Sequence, residues 1–538
     1  MASFAADNSI QPGRPMKLYI EEIPAVDDDA ADGVTVTEGG GGAADNVASI
    51  DMADGGELKT LDLGGGEFGS LGDDDDGDAS ARFEFTRLAG GAAGPAARGG
   101  ASATLVAVAG RRLVLVFGGA NRAGEHYNGV HAFDVGAGRW LSGAEAGESG
   151  GVRISGEPPA KRSGHAAALV PSAAAAADGD GGGGAGFDGG GGLVVVGGID
   201  IAAQEIFNDV HVLAYDAGAA GAAGAVALVW RAPEVRGAPP SPRTGHSATA
   251  VGAARATVLV FGGSSPDGGP TNDLWALDCA ALQQQRRQQQ QQQQGTDGGG
   301  GGPGAEPVVQ WSRVDARGVP PSPRELHGAC LCRLPLSPET AAYLARVGRP
   351  AAGALALCVY GGRGPGGVCA DAHVLHVADD VAKSGWKGAA AATRTRASAV
   401  LDTTTGAAVA VAASTAAGAG GAASPALPPR AAHACVGLGG DRVLVFGGWD
   451  GAGGMFADAF ALKVGLRCVA VCAASAPLPT GSERGEGLEP RFAHAACGDG
   501  AGGVLAFGGV NMQNDLGELC SLRAVVVIPD DDGGGGGD

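Results

Sequence analysis

Short apolar runs that end in a Gly-Gly pair recur six times along the chain. They are LVLVFGG to Gly118-Gly119, LVVVGG to Gly197-Gly198, TVLVFGG to Gly262-Gly263, LALCVYGG to Gly361-Gly362, RVLVFGG to Gly447-Gly448 and GVLAFGG to Gly508-Gly509. Runs this short, rich in β-branched residues and bounded by turn formers, read as buried strands. Five of them follow an Arg-x-x-His: Arg162/His165, Arg243/His246, Arg324/His327, Arg430/His433 and Arg491/His494. Ahead of the first run, Arg98 is present but Ala101 stands where the histidine is expected. After each Gly-Gly comes a loop of about ten residues and then a polar slot that opens a third strand. Asn208-Asp209, Asn272-Asp273 and Asn514-Asp515 fill that slot, as do Asn128, Asp371 and Asp458. A fourth strand follows, opened by Trp140, Trp230 or Trp311, with Trp386 a looser match. Each unit thus predicts four short strands joined by turns.

This arrangement resembles the Kelch repeat, of the galactose oxidase-like kind, and the resemblance covers about residues 82–528. It implies an all-β fold, a six-bladed Kelch-type β-propeller of four-stranded antiparallel blades around a central channel. A glycine pair ending every second strand suits close backbone approach near the axis, and the tryptophans suit packing between blades. The Gly-Gly pairs lie 61 to 99 residues apart, beyond the ~50 of a bare unit. Low-complexity insertions at 171–192, 217–225, 281–303, 335–353, 388–424 and 473–488 account for the excess, since loop closure costs grow slowly with length. For ring closure, the isolated segment Phe83 to Leu88 is expected to supply the outer strand of blade six. The alternative is that Ala524 to Ile528 closes that blade by itself.

Charge divides the chain. The net charge is −21, yet residues 1–80 hold 19 acids against three bases, and 529–538 hold four acids. Both segments are expected to be disordered acidic tails, because strong charge with little apolar content does not offset ordering entropy. The patch Met16 to Ile23 is either a docking motif or a transient apolar cluster. The remaining segment, 34 bases against 35 acids, is nearly neutral. Without a basic stripe, nucleic acid is not expected as a partner. An anionic membrane surface is disfavoured as well, and the 100 glycines follow no collagen period. No basic-then-apolar leader opens the chain, so a soluble cytoplasmic protein, or a nuclear one, is expected. The ten cysteines lie between Cys279 and Cys520 without a C-x-x-C and read as small buried hydrophobes.

The loops after Gly-Gly share one face with the Arg-x-x-His segments, because connections alternate between faces in an antiparallel blade. Recognition tends to sit on such loops. Arg122, His126, Asp200, Asp267, Arg363, Trp449, Asp450 and Gln513 are the candidate partner-binding residues. Two readings of the repeated arginines stay open: a hydrogen-bonding element at the strand start, or a cationic ring at the channel mouth. Glu205, Asp209 and His211, and likewise Cys369, Asp371 and His373, invite a metal. The Glu-x-x-x-Asp-x-x-x-His pattern of Kelch specifier proteins fails here at Leu213. No phosphate loop or nucleophile elbow is present, and no catalytic, cofactor or metal residue is assigned. The expected function is a non-catalytic scaffold or adaptor binding another protein. The alternative is a small-molecule enzyme of the specifier or oxidase type with a metal site.

Overall fold

The computed structural model describes residues 80–89, 94–141, 151–172, 191–216, 226–251, 256–266, 268–283, 307–334, 346, 353–377, 384–391, 400–401, 408–409, 429–464, 469–474 and 489–527. The tails up to residue 79 and from 528, and most of the low-complexity insertions, lie outside the described residues.

The fold is a six-bladed β-propeller. Blade one runs Gly99–Val108, Arg111–Ala120, Val130–Asp134 and Arg139–Leu141, each strand antiparallel to the last. Blade three repeats this with Ser247–Val251, Thr257–Phe261, Leu274–Asp278 and Val308–Arg313. In the sixth sheet, Ala495–Gly498, Val504–Phe507 and Leu519–Val527 are joined by Ser80–Ala89, which runs antiparallel to Leu519–Val527. The strand before the first repeat therefore completes the last blade. Residues 524–527 prolong the third strand of that blade and do not form a fourth.

Past its first residue or two, the second strand of each blade is apolar because it is covered on both sides. Successive residues of a strand point to opposite faces. Thus Leu113, Leu115 and Phe117 pack on Leu193, Val195 and Trp230 of blade two, while Val114 and Val116 pack on Leu505 and Phe507 of blade six. One such apolar layer lies at each of the six blade boundaries. Trp140, Trp230 and Trp311 each face the preceding blade, Trp140 meeting Phe507 edge-on at 5.7 Å. Two outer additions escape the sequence pattern. Val152–Ser155 and Glu234–Arg236 pair in parallel with the outer strands of blades two and three, covering otherwise open edges.

The blades are also tied at the axis. Gly164 N–H donates to the Gly100 carbonyl (2.9 Å), Gly245 to Gly164 (2.8 Å), Leu326 to Gly245 (2.7 Å) and Ala432 to Leu326 (2.7 Å). Ala493 then donates to Ala432 (2.8 Å), and Gly100 to Ala493 (2.8 Å), so the series closes on itself. Each donor immediately precedes the histidine position of its repeat and has φ between 52° and 66°. That left-handed conformation costs a non-glycine residue about 1–2 kcal/mol, yet Leu326, Ala432 and Ala493 adopt it. The Gly-Gly pairs serve the same close approach. At Gly262 a Cβ would lie 2.7 Å from the Arg324 carbonyl of the next blade, and at Gly263, 2.7 Å from the His246 Cβ.

Because residues 80–89 close the ring, a chain lacking residues 1–89 is expected to melt roughly 5 °C or more below the full chain. Calorimetry of the two proteins checks this, and coincident melts would contradict closure by that strand.

Candidate functional site

On the Gly-Gly face the repeated arginines prove to be structural clamps. Arg243 donates from Nε to the Ser241 carbonyl (3.1 Å) and from Nη1 to the Gly262 carbonyl (2.9 Å). Its Nη1 and Nη2 also grip both oxygens of Asp273, at 2.7 and 2.9 Å. Arg162 holds Asp209, Arg324 holds Asp371 and Arg430 holds Asp458 in the same bidentate way. All five Arg-x-x-His arginines are at most 1% exposed, so they make no cationic ring at the channel mouth. The asparagine of the polar slot has a separate task, donating to a proline carbonyl that precedes the next blade: Asn128 to Pro159, Asn208 to Pro240 and Asn272 to Pro321, each 3.0 Å.

Blade six corrects the sequence alignment. Its acid is Glu518, which accepts from Arg491 Nη2 at 2.6 Å and whose carbonyl accepts from Gly508 N. Asp515 stands too close to the Gly-Gly for that slot, and instead receives the Arg122 backbone N–H at 2.9 Å. Blade one departs further. Arg98 keeps the bonds to the Ala96 and Gly118 carbonyls, but among the described residues no carboxylate pairs with it.

The histidines are buried packing groups. His165 lies edge-on to Phe117, His327 to Phe261 and His433 to Tyr360, each ring belonging to the preceding blade. Burial first, and then the charge of the neighbouring arginine, pushes His165, His246, His327 and His494 down to about 3, and His433 well below its usual value. Burial would raise the Asp273 carboxyl, but the bonds from Arg243 and Trp275 outweigh it and hold the group at about 2.

The candidate partner-binding residues separate into three groups. Several are spent on the loops themselves. Asp450 Oδ1 accepts from Ala452 N and Gly454 N, Asp200 Oδ1 accepts from Ala202 N and Ala203 N, and Arg363 pairs with the buried Glu325. Trp449 is half-buried, and its backbone exchanges two hydrogen bonds with Ala431. Others link neighbouring loops. Arg122 Nη1 donates to the Met512 carbonyl at 3.0 Å. His126 was expected on the surface but is 4% exposed, wedged where its Nε2 accepts from Ile201 N at 3.4 Å. Gln513 alone stands out as exposed, and Asp267 lies outside the described residues. Two exposed apolar residues lie beside them, Met512, which the sequence places on the same rim, and Ile201, which sequence reasoning missed because an isolated apolar loop residue carries no pattern.

Neither metal candidate offers a free donor set. Asp209 is taken up by Arg162 and by His211 Nε2 (2.9 Å), and Asp371 by Arg324 and His373 Nε2 (2.7 Å). A carboxylate so bound to a guanidinium does not suit a cation.

Six antiparallel blades, each opened by a buried arginine and closed on its neighbour by a glycine pair, define a Kelch-type propeller. Residues 175–334 match the family model described as the KLHDC2/KLHL20/DRC7 Kelch-repeats domain, and the contacts just described extend the repeat around the ring. The ring as a whole is a six-bladed β-propeller, and residues 175–334 of it are similar to that Kelch-repeat model. No curated protein matches it.

The depressed histidines fix a pH dependence. Their folded pKa values lie below the unfolded value near 6.5. The stability they contribute is therefore complete above about pH 6.5 and is lost as pH falls toward 3. Urea unfolding should give a free energy lower by about 1 kcal/mol per histidine at pH 5.5 than at pH 7. Equal stabilities at the two pH values would contradict their neutral burial.

Proposed function

We propose that the protein is a non-catalytic scaffold that binds another protein through the loops following the Gly-Gly pairs. Kelch propellers commonly serve as protein-interaction scaffolds, and loops on a rigid frame are where recognition tends to sit. The observation that carries the reading is a continuous surface over blades six, one and two. Met512 is 64% exposed and Ile201 41%. Between them Arg122 is hydrogen-bonded to the Met512 carbonyl and His126 to the Ile201 amide. The loops of blades six and two therefore present apolar tips braced on the loop of blade one, which lowers the ordering cost of docking. The acids at this surface, Glu125, Asp200 and Asp515, are each held in structural bonds, which favours adhesion over chemistry.

Substituting exposed tips leaves folding nearly untouched, so the double variant Met512→Asp, Ile201→Asp is the appropriate probe. In affinity capture from a native extract, with bound proteins identified by mass spectrometry, it is expected to lose its specific partners at least about tenfold. Retention of the same partners at the same yield would exclude this surface.

A further inference from the structure

Blade one contains a clamp without its acid. The acid slot in blades three to six is fixed by the backbone: Asp273, Asp371, Asp458 and Glu518 each place their carbonyl on the N–H of the first glycine of the pair. In blade one that bond runs from Gly118 N to the carbonyl of Gly129, so Gly129 occupies the slot with no side chain. Two residues on, and on the same side of the strand, stands His131. Its counterparts His211 and His373 donate from Nε2 to Asp209 and Asp371. A Cβ built on Gly129 would meet nothing within 4 Å except His131 Nε2, at 3.5 Å. The slot is thus flanked by the imidazole and is otherwise empty space.

The arginine is in place. Arg98 is 3% exposed, donates from Nε and Nη1 to the Ala96 and Gly118 carbonyls, and stacks 3.7 Å above the Tyr127 ring. Among the described residues nothing accepts from its Nη2. The guanidinium and His131 both line a cavity of about 350 Å³, together with Tyr127, Asn128, Gly129 and Lys161. That volume is in the range of small-ligand sites. Glu125 and Asp200 also border the cavity. Glu125 is engaged by Asn121 and Tyr127, and Asp200 by its own turn. Burial, and then the Arg98 charge, pushes His131 down to about 4, so at neutral pH the ring is an uncharged donor.

We propose that this gap binds the carboxylate of a small organic acid, gripped by Arg98 and His131 in the position that Asp209 takes between Arg162 and His211. A buried guanidinium that keeps its fork geometry but lacks its acid is preorganised for such a group. The cavity beyond it receives the rest of the molecule. The cavity is walled in part by the docking loops, through His126, Asp200 and Ala202, but the grip on the carboxylate rests on Arg98 and His131 and not on Met512 or Ile201.

The test uses the full chain with sodium acetate and sodium succinate as probes, against sodium chloride at equal ionic strength. Melting temperature and saturation-transfer NMR of the acid are the two readouts. The wild-type protein should gain about 2 °C at a tenfold excess over Kd and should show saturation transfer. Gly129→Asp supplies the missing carboxylate from within. It should melt above the wild type without any acid and lose both responses. Arg98→Met should melt lower and lose both as well, a second reading should either variant fold poorly. A wild-type protein that responds to the acids no more than to chloride overturns the proposal. So does a Gly129→Asp or Arg98→Met protein that keeps the full response.

Discussion

Six backbone hydrogen bonds around the axis, each passing from one blade to the next, are the constraint on which the rest of the propeller depends. They run in one direction and return to their start through Gly100 and Ala493. A bond in such a series cannot lengthen without moving two blades. The left-handed backbone at every donor brings the blades within reach of one another. Three non-glycine residues accept that conformation, so the surrounding contacts must outweigh their strain. The first glycine of each neighbouring pair has no Cβ for the same reason, since the next blade's arginine carbonyl occupies that space, while the second clears the histidine segment of its own blade.

Outward from this ring, each arginine joins three elements that would otherwise only touch. It ties its own strand start to the Gly-Gly carbonyl and to the acid of the third strand. Removing the acid from such a buried pair leaves a charge with no counterion, a loss usually of about 3–5 kcal/mol. Blade one carries that arrangement as its native state. Its arginine is instead supported by Tyr127, while its loop is braced on both flanks by Arg122 and His126. The irregular blade and the braced loop thus fall at the same place in the ring.

Much of this was legible in the residues. The Gly-Gly runs located every second strand, and the stray segment before the first repeat announced closure of the sixth blade. The additions Val152–Ser155 and Glu234–Arg236 were not legible, because they run along exposed outer edges and bury almost nothing to impose a period. Asp515 imitated the acid of its repeat, and only the bonds from Arg491 and from Gly508 N identify Glu518 as the true one. His126 looked like a rim residue, since a histidine's partners in a neighbouring loop leave no trace in its own sequence. Gly129 could be read as a missing acid only once Arg98 was seen to be buried without a counterion.

Amide hydrogen exchange of the native protein, resolved at Gly100, Gly164, Gly245, Leu326, Ala432 and Ala493, tests the closed ring most directly. If the ring binds the blades into one cooperative unit, all six amides exchange only by global unfolding, with the same protection and the same dependence on denaturant. If one or two of them exchange by local opening while the others stay protected, the blades are separable and the ring does not hold the fold together.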